Sequence, residues 1–357
     1  ELRENIVDLG MVKKAYVNTD GVAHITVALT TAGCPLRSQI KTDVQRKASH
    51  LEKVDTVKVT FGELNIEEKR TLMDRARKNA RENSKETAVS SNTRVLAIAS
   101  GKGGVGKSSL TANLASSIAD IGFKVGVLDA DIWGFSQGKM LEGEDGKINP
   151  HIKPIGNNDG ELKVVSMGFL IDDEQSALMW RGPILAKAVE QFLVDVNWGE
   201  LDYLLIDKPP GTGDIQMAVS RLIPQSEMLI VTTPAPGASQ VAARVGDMAQ
   251  RSYMPIIGIV ENMSYFVDSL GVKQYIFGKG GGEKLAKRLA TQLVAQIPID
   301  GDVSQSNFEG TPLSLSGTSI TAEEIRKLAK KIVEDLCPPV EIAGCTAIFA
   351  EIFKRSI

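Results

Sequence analysis

Apolar and polar side chains alternate over residues 22–30, which is the pattern of a half-buried β-strand. Residues 54–61 repeat the pattern, and we expect the two strands to pair. Between them a helix is predicted over residues 36–48, because Pro35 stands where a helix tolerates proline, in its first turn. Together these elements predict a small α+β domain that occupies residues 1–75.

The pattern changes at about residue 94, where short runs rich in β-branched residues begin to alternate with helical patterns. The predicted strands are residues 95–100, 125–129, 162–166, 203–207, 228–233 and 256–260. Strands that alternate with helices are typical of crossover connections, so we expect a mostly parallel sheet with helices on both faces. In the first helix, one apolar stripe is predicted to face the sheet, at Leu110, Leu114, Ile118 and Ile121. The predicted fold class is α/β.

Two stretches fall outside these domains. Residues 76–93 are polar and basic with few large apolar side chains, which predicts a flexible linker. The large domain then covers residues 94–336 and closes on a helix predicted over residues 322–336. Two consecutive prolines stop that helix and leave a tail at residues 337–357.

The composition of the 357 residues is that of a globular protein, with 43% hydrophobic and 24% charged residues. A formal net charge of −3 gives no general attraction to nucleic acid or anionic membranes, so neither is an expected partner. No apolar run reaches the roughly 18 residues that cross a bilayer. The three cysteines, Cys34, Cys337 and Cys345, have no disulfide-framework spacing, and this favours a reducing, cytoplasmic location.

A glycine-rich loop joins the first predicted strand of the large domain to the helix that follows. Its sequence is Gly101-Lys102-Gly103-Gly104-Val105-Gly106-Lys107-Ser108. Glycines let the backbone amides and the helix N-terminus close around an anion, Lys107 adds charge for the β- and γ-phosphates, and Ser108 offers a hydroxyl to Mg²⁺. The alternative is a glycine-rich turn with an incidental lysine, and the flanking strand and helix argue against it. The loop therefore predicts a P-loop that binds ATP and Mg²⁺.

Acidic residues follow two of the predicted strands, with Asp129 and Asp131 after one and Asp207 after another. Ligands of open α/β sheets bind at the carboxyl ends of the strands, where such acids lie. Asp207 ends an apolar strand as a Walker B acid does, and we expect it to contact magnesium directly or through water. Helix capping is the ordinary alternative for a strand-end aspartate.

A second lysine in the loop, Lys102, is not needed to hold phosphates within one chain. The pattern Lys-Gly-Gly-x-Gly-Lys-Ser resembles the deviant Walker A family, which includes MinD, ParA, the nitrogenase iron protein and the Mrp/ApbC proteins. The resemblance implies an ATP-hydrolysing homodimer in which Lys102 reaches the nucleotide of the other subunit, as an arginine finger would. It also implies that Asp131 positions the attacking water and that Asp129 supports the magnesium shell.

Further blocks resemble the Mrp/ApbC proteins in particular. They are residues 129–134, 179–183, 209–214, 261–264 and 277–282. The resemblance implies an ATPase that carries iron–sulfur clusters, with apoproteins or scaffold proteins as clients and with Asn262 and Pro298 against the adenine. Residues 1–75 resemble a SufT-like domain in which the cysteine of Thr-Ala-Gly-Cys-Pro, here Cys34, is linked to cluster handling. A helix N-terminus lowers the pKa of a thiol, as metal ligation requires, whereas a small buried cap is the alternative for Cys34.

One departure from that family concerns the cluster. The resemblance implies a cluster bridged by a Cys-x-x-Cys pair from each subunit, placed just after residues 261–264. Here residues 265–273 contain no cysteine, and neither Asp268 nor Ser269 replaces a thiolate. Cys34 is therefore the one thiol assigned to a 4Fe-4S cluster, and Cys337 and Cys345 are expected to be structural or solvent-exposed thiols.

Two alternatives fit the same nucleotide site. A MinD/ParA-like positioning switch would bind a membrane or nucleoid, and its support is the short apolar and basic segment at residues 347–355. A nucleotide-gated scaffold with negligible turnover would use ATP to set dimerisation only, which fits a site with no obvious base other than Asp131.

Overall fold

A computed structural model describes residues 6–29, 37–51, 53–65, 67–68, 71–72, 75, 86–131, 134, 136–141, 153–155, 160–166, 182–252 and 254–340. The chain forms two compact units, Glu1–Asn83 and Ser84–Ile357, and the division falls within residues 76–93, the predicted linker. Cys34, Cys345 and the segment at residues 347–355 lie outside the described residues. Within the described ranges, no helix has the length and apolar character to cross a membrane.

The first unit contains a three-stranded sheet and the helix that connects two of its strands. Its elements are β1 Val12–Val17, β2 Val22–Leu29, α1 Arg37–Ala48 and β3 Thr56–Glu63. β1 is antiparallel to β2, whereas β2 and β3 are parallel, because α1 crosses over between them. The predicted helix and strand pair are confirmed. The sequence does not predict β1, because exposed side chains along this edge strand leave no apolar alternation to recognise.

The second unit is built on one large sheet with helices between its strands. The strands of that sheet are β4 Arg94–Ser100, β5 Lys124–Asp129, β6 Lys153–Ile155, β7 Gly160–Val165, β8 Tyr203–Asp207, β9 Glu227–Thr232, β10 Ile256–Glu261 and β13 Leu293–Gln296. β11 Phe266–Val267 and β12 Lys273–Gln274 form a separate two-stranded sheet. The helices are α2 Lys107–Asp120, α3 Gln137–Leu141, α4 Gly182–Val194, α5 Asp214–Leu222, α6 Pro236–Arg251, α7 Gly281–Arg288, α8 Asp302–Phe308, α9 Leu313–Ser316 and α10 Ile320–Lys331, which continues as a π-helical turn at Ile332–Leu336.

The large sheet has the strand order β13-β10-β9-β4-β8-β5-β7-β6. All its pairings are parallel except the one between β6 and β7 at one edge. The six predicted strands and the α/β class are therefore confirmed. The edge strands β6 and β13 are not predicted, because each is only three or four residues long and has no run of β-branched residues.

Alternate residues of β4 show how the sheet is covered. Leu96 and Ile98 pack in a core with α2 and α10, whereas Ala97 and Ala99 pack in a separate core with α6 and α7. In the predicted stripe of α2, Leu110, Leu114 and Ile118 are buried as expected. Ile121 is 42% exposed, so that part of the prediction is wrong, because the helix ends at Asp120 and the chain turns at Gly122, whose φ is +115°. The sheet therefore lies between two layers of helices, and the carboxyl ends of its parallel strands all lie at the same end of the sheet.

The final helix is anchored through Cys337. The thiol is buried and donates a hydrogen bond of 2.7 Å to Glu227 Oε2, and the Cys337 carbonyl accepts one of 2.9 Å from the Tyr203 hydroxyl. Burial, followed by the neighbouring Glu227 carboxylate, raises the pKa of the thiol well above its usual range. Cys337 is therefore a structural thiol, which is the first of the two alternatives expected for it.

Candidate functional site: a nucleotide and magnesium pocket

The glycine loop lies at the carboxyl end of β4, in the middle of the sheet. Gly104 and Gly106 have φ angles of +75° and +77°, which residues with a Cβ rarely adopt, and α2 begins immediately afterwards. Gly101 is packed so closely on the backbone of Ala242 that any side chain there would collide with it. The loop therefore places backbone amides and the N-terminus of a 14-residue helix around one point, as anion binding requires.

Lys107 enters the site from the first turn of α2 and contacts two acids. Its ammonium donates to Asp207 Oδ1 and lies 3.8 Å from Asp131 Oδ2. It also lies 3.3 Å from the Ser108 hydroxyl. The lysine and Asp207 side chains are 6% and 0% exposed, so this charge pair is shielded from water. The structure thus brings together four of the residues that the sequence assigned to phosphate, magnesium and water.

Asp129 stands beside Asp207, because the two are register partners on the neighbouring strands β5 and β8. Its carboxylate accepts hydrogen bonds from the backbone amides of Asp131, Ser136 and Gln137, and from the Ser166 hydroxyl, at 2.8 to 3.2 Å. Burial, and then the charge of Asp207, raise the pKa of Asp129. Asp129 therefore shapes the loop that carries Asp131, and its place in the magnesium shell stays a prediction.

Asp131 is the least buried of the three acids, with a side chain 17% exposed. Burial still raises its pKa, and Lys107 opposes that shift. The carboxylate faces the lysine that is expected to hold the phosphates, and solvent can reach it. This is the position that a residue orienting water would need.

Gln137 is not singled out by the sequence, yet its side chain links Ser108, at the end of the glycine loop, to Asp207, at the end of β8. Its Nε2 donates to the Ser108 carbonyl at 2.9 Å and to Asp207 Oδ2 at 2.8 Å. It is fully buried at the start of α3. A glutamine in a short helix carries no motif that would have identified it, because its role depends on contacts with residues 29 and 70 positions away in the chain.

The turn after β8 is fastened to the start of the glycine loop. The Gly211 amide donates to the Ser100 carbonyl at 2.9 Å, and Gln216 Nε2 donates to the Pro209 carbonyl at 2.7 Å. Lys208 is fully buried beside this turn, and its ammonium has no hydrogen-bond partner among the residues that the structure describes. Burial alone lowers the pKa of Lys208 to about 7. The turn is thus tied by a hydrogen bond to Ser100, the residue before the glycine loop.

Asn262 follows β10 and reaches the glycine loop from the other side. Its Nδ2 donates to the Val105 carbonyl at 2.9 Å, and the side chain packs against Gly106. Pro298 is buried after β13, next to Ile297, whose amide donates to the Glu261 carbonyl. Both residues assigned to the adenine therefore lie at the carboxyl ends of strands, and Asn262 also holds the loop itself.

Lys102 is exposed, and no hydrogen bond or ion pair to its ammonium occurs within the part of the chain that the structure describes.

The stretch without cysteine, residues 265–273, contains β11 and the turn that leads into β12. Asp268 closes this turn by accepting hydrogen bonds from the amides of Leu270 and Val272. These bonds lower the pKa of Asp268, so its carboxylate serves the turn.

The oxygen ligands at the carboxyl ends of these strands suit Mg²⁺. The Ser108 hydroxyl and the Asp207 carboxylate are hard ligands of the kind that magnesium takes, and Lys107 and Gln137 already hold both carboxylate oxygens in place. The buried Oε1 of Gln137 lacks a hydrogen-bond partner in the described structure, as expected beside a hydrated ion. Within the described ranges, no group of three or more His, Cys, Asp or Glu side chains could hold a metal ion, so the ligands proposed here are one hydroxyl and one carboxylate.

Comparison with protein families gives two matches that together cover most of the chain. Residues 91–333 match the family described as NUBPL iron-transfer P-loop NTPase, and residues 1–61 match the iron-sulfur cluster assembly protein family. An iron-sulfur cluster carrier protein from Mycobacterium tuberculosis is 40% identical over 344 residues, which cover 92% of this chain and 88% of that protein. One from Methanocaldococcus jannaschii is 46% identical over 244 residues, covering 67% and 83%.

Solved structures resemble the second unit. A nucleotide-binding protein in complex with ADP from Archaeoglobus fulgidus is 35% identical, with a TM-score of 0.52, and covers 65% of this chain and 90% of that chain. The cell division ATPase MinD of Pyrococcus furiosus, at 24% identity and a TM-score of 0.50 over 67% and 98% of the two chains, shares the fold. The fold inferred from the strand rhythm and the glycine loop is confirmed by these structures.

Proposed function

Since the chain belongs to the family of NUBPL iron-transfer P-loop NTPases, we propose that it is an ATP-hydrolysing, homodimeric carrier of iron–sulfur clusters. The observation that carries the proposal is the meeting of Lys107, Asp131 and Asp207 at the carboxyl edge of the sheet. A family match in the first unit to iron-sulfur cluster assembly proteins supports the cargo. Both units then act in the transfer of iron–sulfur clusters. We assign the protein to the cytoplasm.

ATP is bound by the glycine loop in this proposal. The amides of residues 101–108 and the N-terminus of α2 receive the phosphates, and Lys107 exchanges Asp207 for phosphate oxygens. Asp207, released from the lysine, and the Ser108 hydroxyl hold Mg²⁺, which when bound neutralises charge on the phosphates. Asn262 keeps the loop in place through Val105 and, with Pro298, forms the side of the pocket that takes the adenine.

Hydrolysis requires a group that orients water to attack the γ-phosphorus in line with the bond to the departing ADP. Asp131 is the acid of this site that solvent reaches, and Asp129 fixes its backbone by accepting from its amide. Slow turnover is expected, because the described residues of the site offer no stronger base than the Asp131 carboxylate. The turn from Pro209, fastened to Ser100 through Gly211, would transmit the presence of the γ-phosphate to α5.

A second copy of the chain completes the site. Lys102 is exposed in the glycine loop, and its ammonium makes no hydrogen bond or ion pair within the described residues, so we assign it to the nucleotide of another subunit. An exposed lysine supplied in this way acts as an arginine finger does, by adding positive charge when charge develops on the phosphate. Two copies related by a twofold axis would each give Lys102 to the other.

The cargo depends on thiolates, because iron–sulfur clusters are held by cysteine sulfur. Cys337 is committed to the core through Glu227 and Tyr203, which leaves Cys34 and Cys345 as candidate ligands. Cys34 is favoured, because it lies in the unit that matches cluster assembly proteins. Two copies would supply two such thiols.

Anaerobic reconstitution with iron and sulfide tests the carrier function. We expect the wild-type protein to gain the visible absorbance of a cluster and to pass it to an apo-ferredoxin, and the Cys34→Ala variant to lose most of both. The Cys337→Ala variant is the matched control, and it should retain the cluster if it folds. Absence of cluster absorbance in the wild-type protein would refute the carrier function.

A further inference from the structure

Gln137 is held more firmly than its place in a five-residue helix requires. Its backbone amide donates to Asp129 Oδ2 at 3.0 Å, and its side-chain Nε2 donates to the Ser108 carbonyl and to Asp207 Oδ2. Three hydrogen bonds therefore fix both ends of the residue. The side chain cannot turn away from the site without breaking two of them.

The direction of the amide group follows from its partners. The Ser108 carbonyl and the Asp207 carboxylate are both acceptors, so the NH₂ end of Gln137 must face them, and the assignment of nitrogen and oxygen is not arbitrary. Oε1 consequently lies on the opposite side of the amide group from the hydrogen atoms that these two acceptors bind. It is buried and has no hydrogen-bond partner within the described residues.

An unpartnered buried carbonyl oxygen destabilises the folded state, and most such atoms in folded proteins have a partner. A leucine or methionine would fill the same space without that cost. The oxygen is therefore expected to meet a donor in another state of the protein. The neighbours of the amide, Ser108 and Asp207, show which state that is, because both belong to the proposed magnesium site.

Building on the proposed function, we infer that Gln137 is a positioning residue for Mg²⁺. Magnesium gives up its water reluctantly and usually keeps several water molecules in protein sites. Those waters are donors, and Oε1 of Gln137 is a fixed acceptor beside a carboxylate that holds the ion. Nε2 orients Asp207 while Oε1 accepts a hydrogen bond from the hydration shell, so one amide serves both the ligand and the water.

Mn²⁺ affinity in the presence of ADP measures this role without any turnover. Electron paramagnetic resonance of free Mn²⁺ gives the affinity of the full-length protein for the ion, and a separate titration in EDTA gives the affinity for ADP alone. Gln137→Leu removes both ends of the amide, and we expect Mn²⁺ affinity to fall about tenfold or more, as other outer-shell substitutions do. ADP affinity in EDTA should stay within about twofold of wild type, because no nucleotide contact is assigned to Gln137.

Gln137→Glu tests the acceptor oxygen in the absence of the NH₂ donor. The carboxylate keeps an oxygen acceptor but loses the NH₂ donor, so Mn²⁺ affinity should remain well above that of Gln137→Leu. Gln216→Leu is the control, since it removes another buried glutamine with an unpartnered Oε1 that bonds neither Ser108 nor Asp207. It should leave Mn²⁺ affinity unchanged.

Two results would overturn the inference. One is a folded Gln137→Leu protein with wild-type Mn²⁺ affinity, and the other is an equal loss in Gln137→Leu and Gln137→Glu, which would leave no role for Oε1. Failure of the proposed function would be seen separately, because the wild-type protein would then bind no Mn²⁺ with ADP at all.

Discussion

Lys107 and Asp207 form a buried ion pair between the first turn of α2 and the carboxyl end of β8. The pair joins residues 100 positions apart in the chain, and its carboxylate is fully shielded from solvent. A buried carboxylate keeps its charge only with such a partner, so Lys107 stabilises the nucleotide-free site. The same lysine is proposed to bind the phosphates of ATP. Phosphate binding and release of Asp207 to magnesium are thereby coupled.

The proposed exchange of Lys102 between subunits predicts complementation. Lys102→Ala and Lys107→Ala should each be inactive alone, because every site in either dimer lacks one lysine. Mixed dimers contain one complete site, so a 1:1 mixture should regain about a quarter of wild-type phosphate release if subunits exchange randomly. One variant is labelled with nitrogen-15, because the two variants otherwise have the same mass, and native mass spectrometry then checks that mixed dimers form. Inactivity of a mixture shown to contain mixed dimers would contradict the assignment of Lys102.

Substitution of Asp131 separates hydrolysis from binding. Asp131→Asn keeps the size of the side chain but removes the charge that orients water, so ATP hydrolysis should fall about 100-fold or more. ATP affinity, measured by calorimetry with the non-hydrolysed analogue ATPγS, should change little, because Lys107 and the loop amides remain. Wild-type hydrolysis in Asp131→Asn would exclude this residue as the group that acts on water.

Lys208 is expected to lower the stability of the nucleotide-free protein. Its ammonium is buried with no partner among the described residues, and Lys208→Met keeps the length of the side chain without a polar end. We expect the variant to gain about 1–3 kcal/mol in the free energy of unfolding at pH 7. Urea denaturation measures the gain. Lys330→Met, at an exposed helical lysine, is the control and should change little; equal effects of the two substitutions would refute the argument.

The thiol of Cys337 should be inert in the folded protein. In a Cys34→Ala, Cys345→Ala background, iodoacetamide at pH 8 should label Cys337 only after unfolding, as mass spectrometry would show. Because folding raises the pKa of this thiol, its contribution to stability is complete below the unfolded-state pKa of about 8.5 and is lost as the pH rises beyond it. Rapid labelling of the native protein would contradict the burial described above.

Local pattern in the sequence is enough to identify part of the site. Residues 101–108 are contiguous, and Asp129 and Asp207 each end a strand whose apolar run can be recognised, so the amino-acid sequence alone predicts the loop and both acids. It does not predict Gln137, because the importance of this residue comes from bonds to Ser108 and Asp207, which are close only in the folded sheet. Short edge strands escape prediction for a related reason, since their pairing rather than their composition makes them strands.

Release of phosphate from ATP by the full-length protein tests the central claim most directly. Wild-type protein should hydrolyse ATP in the presence of Mg²⁺, and Lys107→Ala should reduce the rate at least about 100-fold, because it removes the charge that the phosphates and Asp207 share. Lys330→Ala, which removes an exposed lysine far along the chain, should leave the rate unchanged. Equal rates of phosphate release in folded Lys107→Ala and wild-type protein would contradict the ATPase assigned to this site.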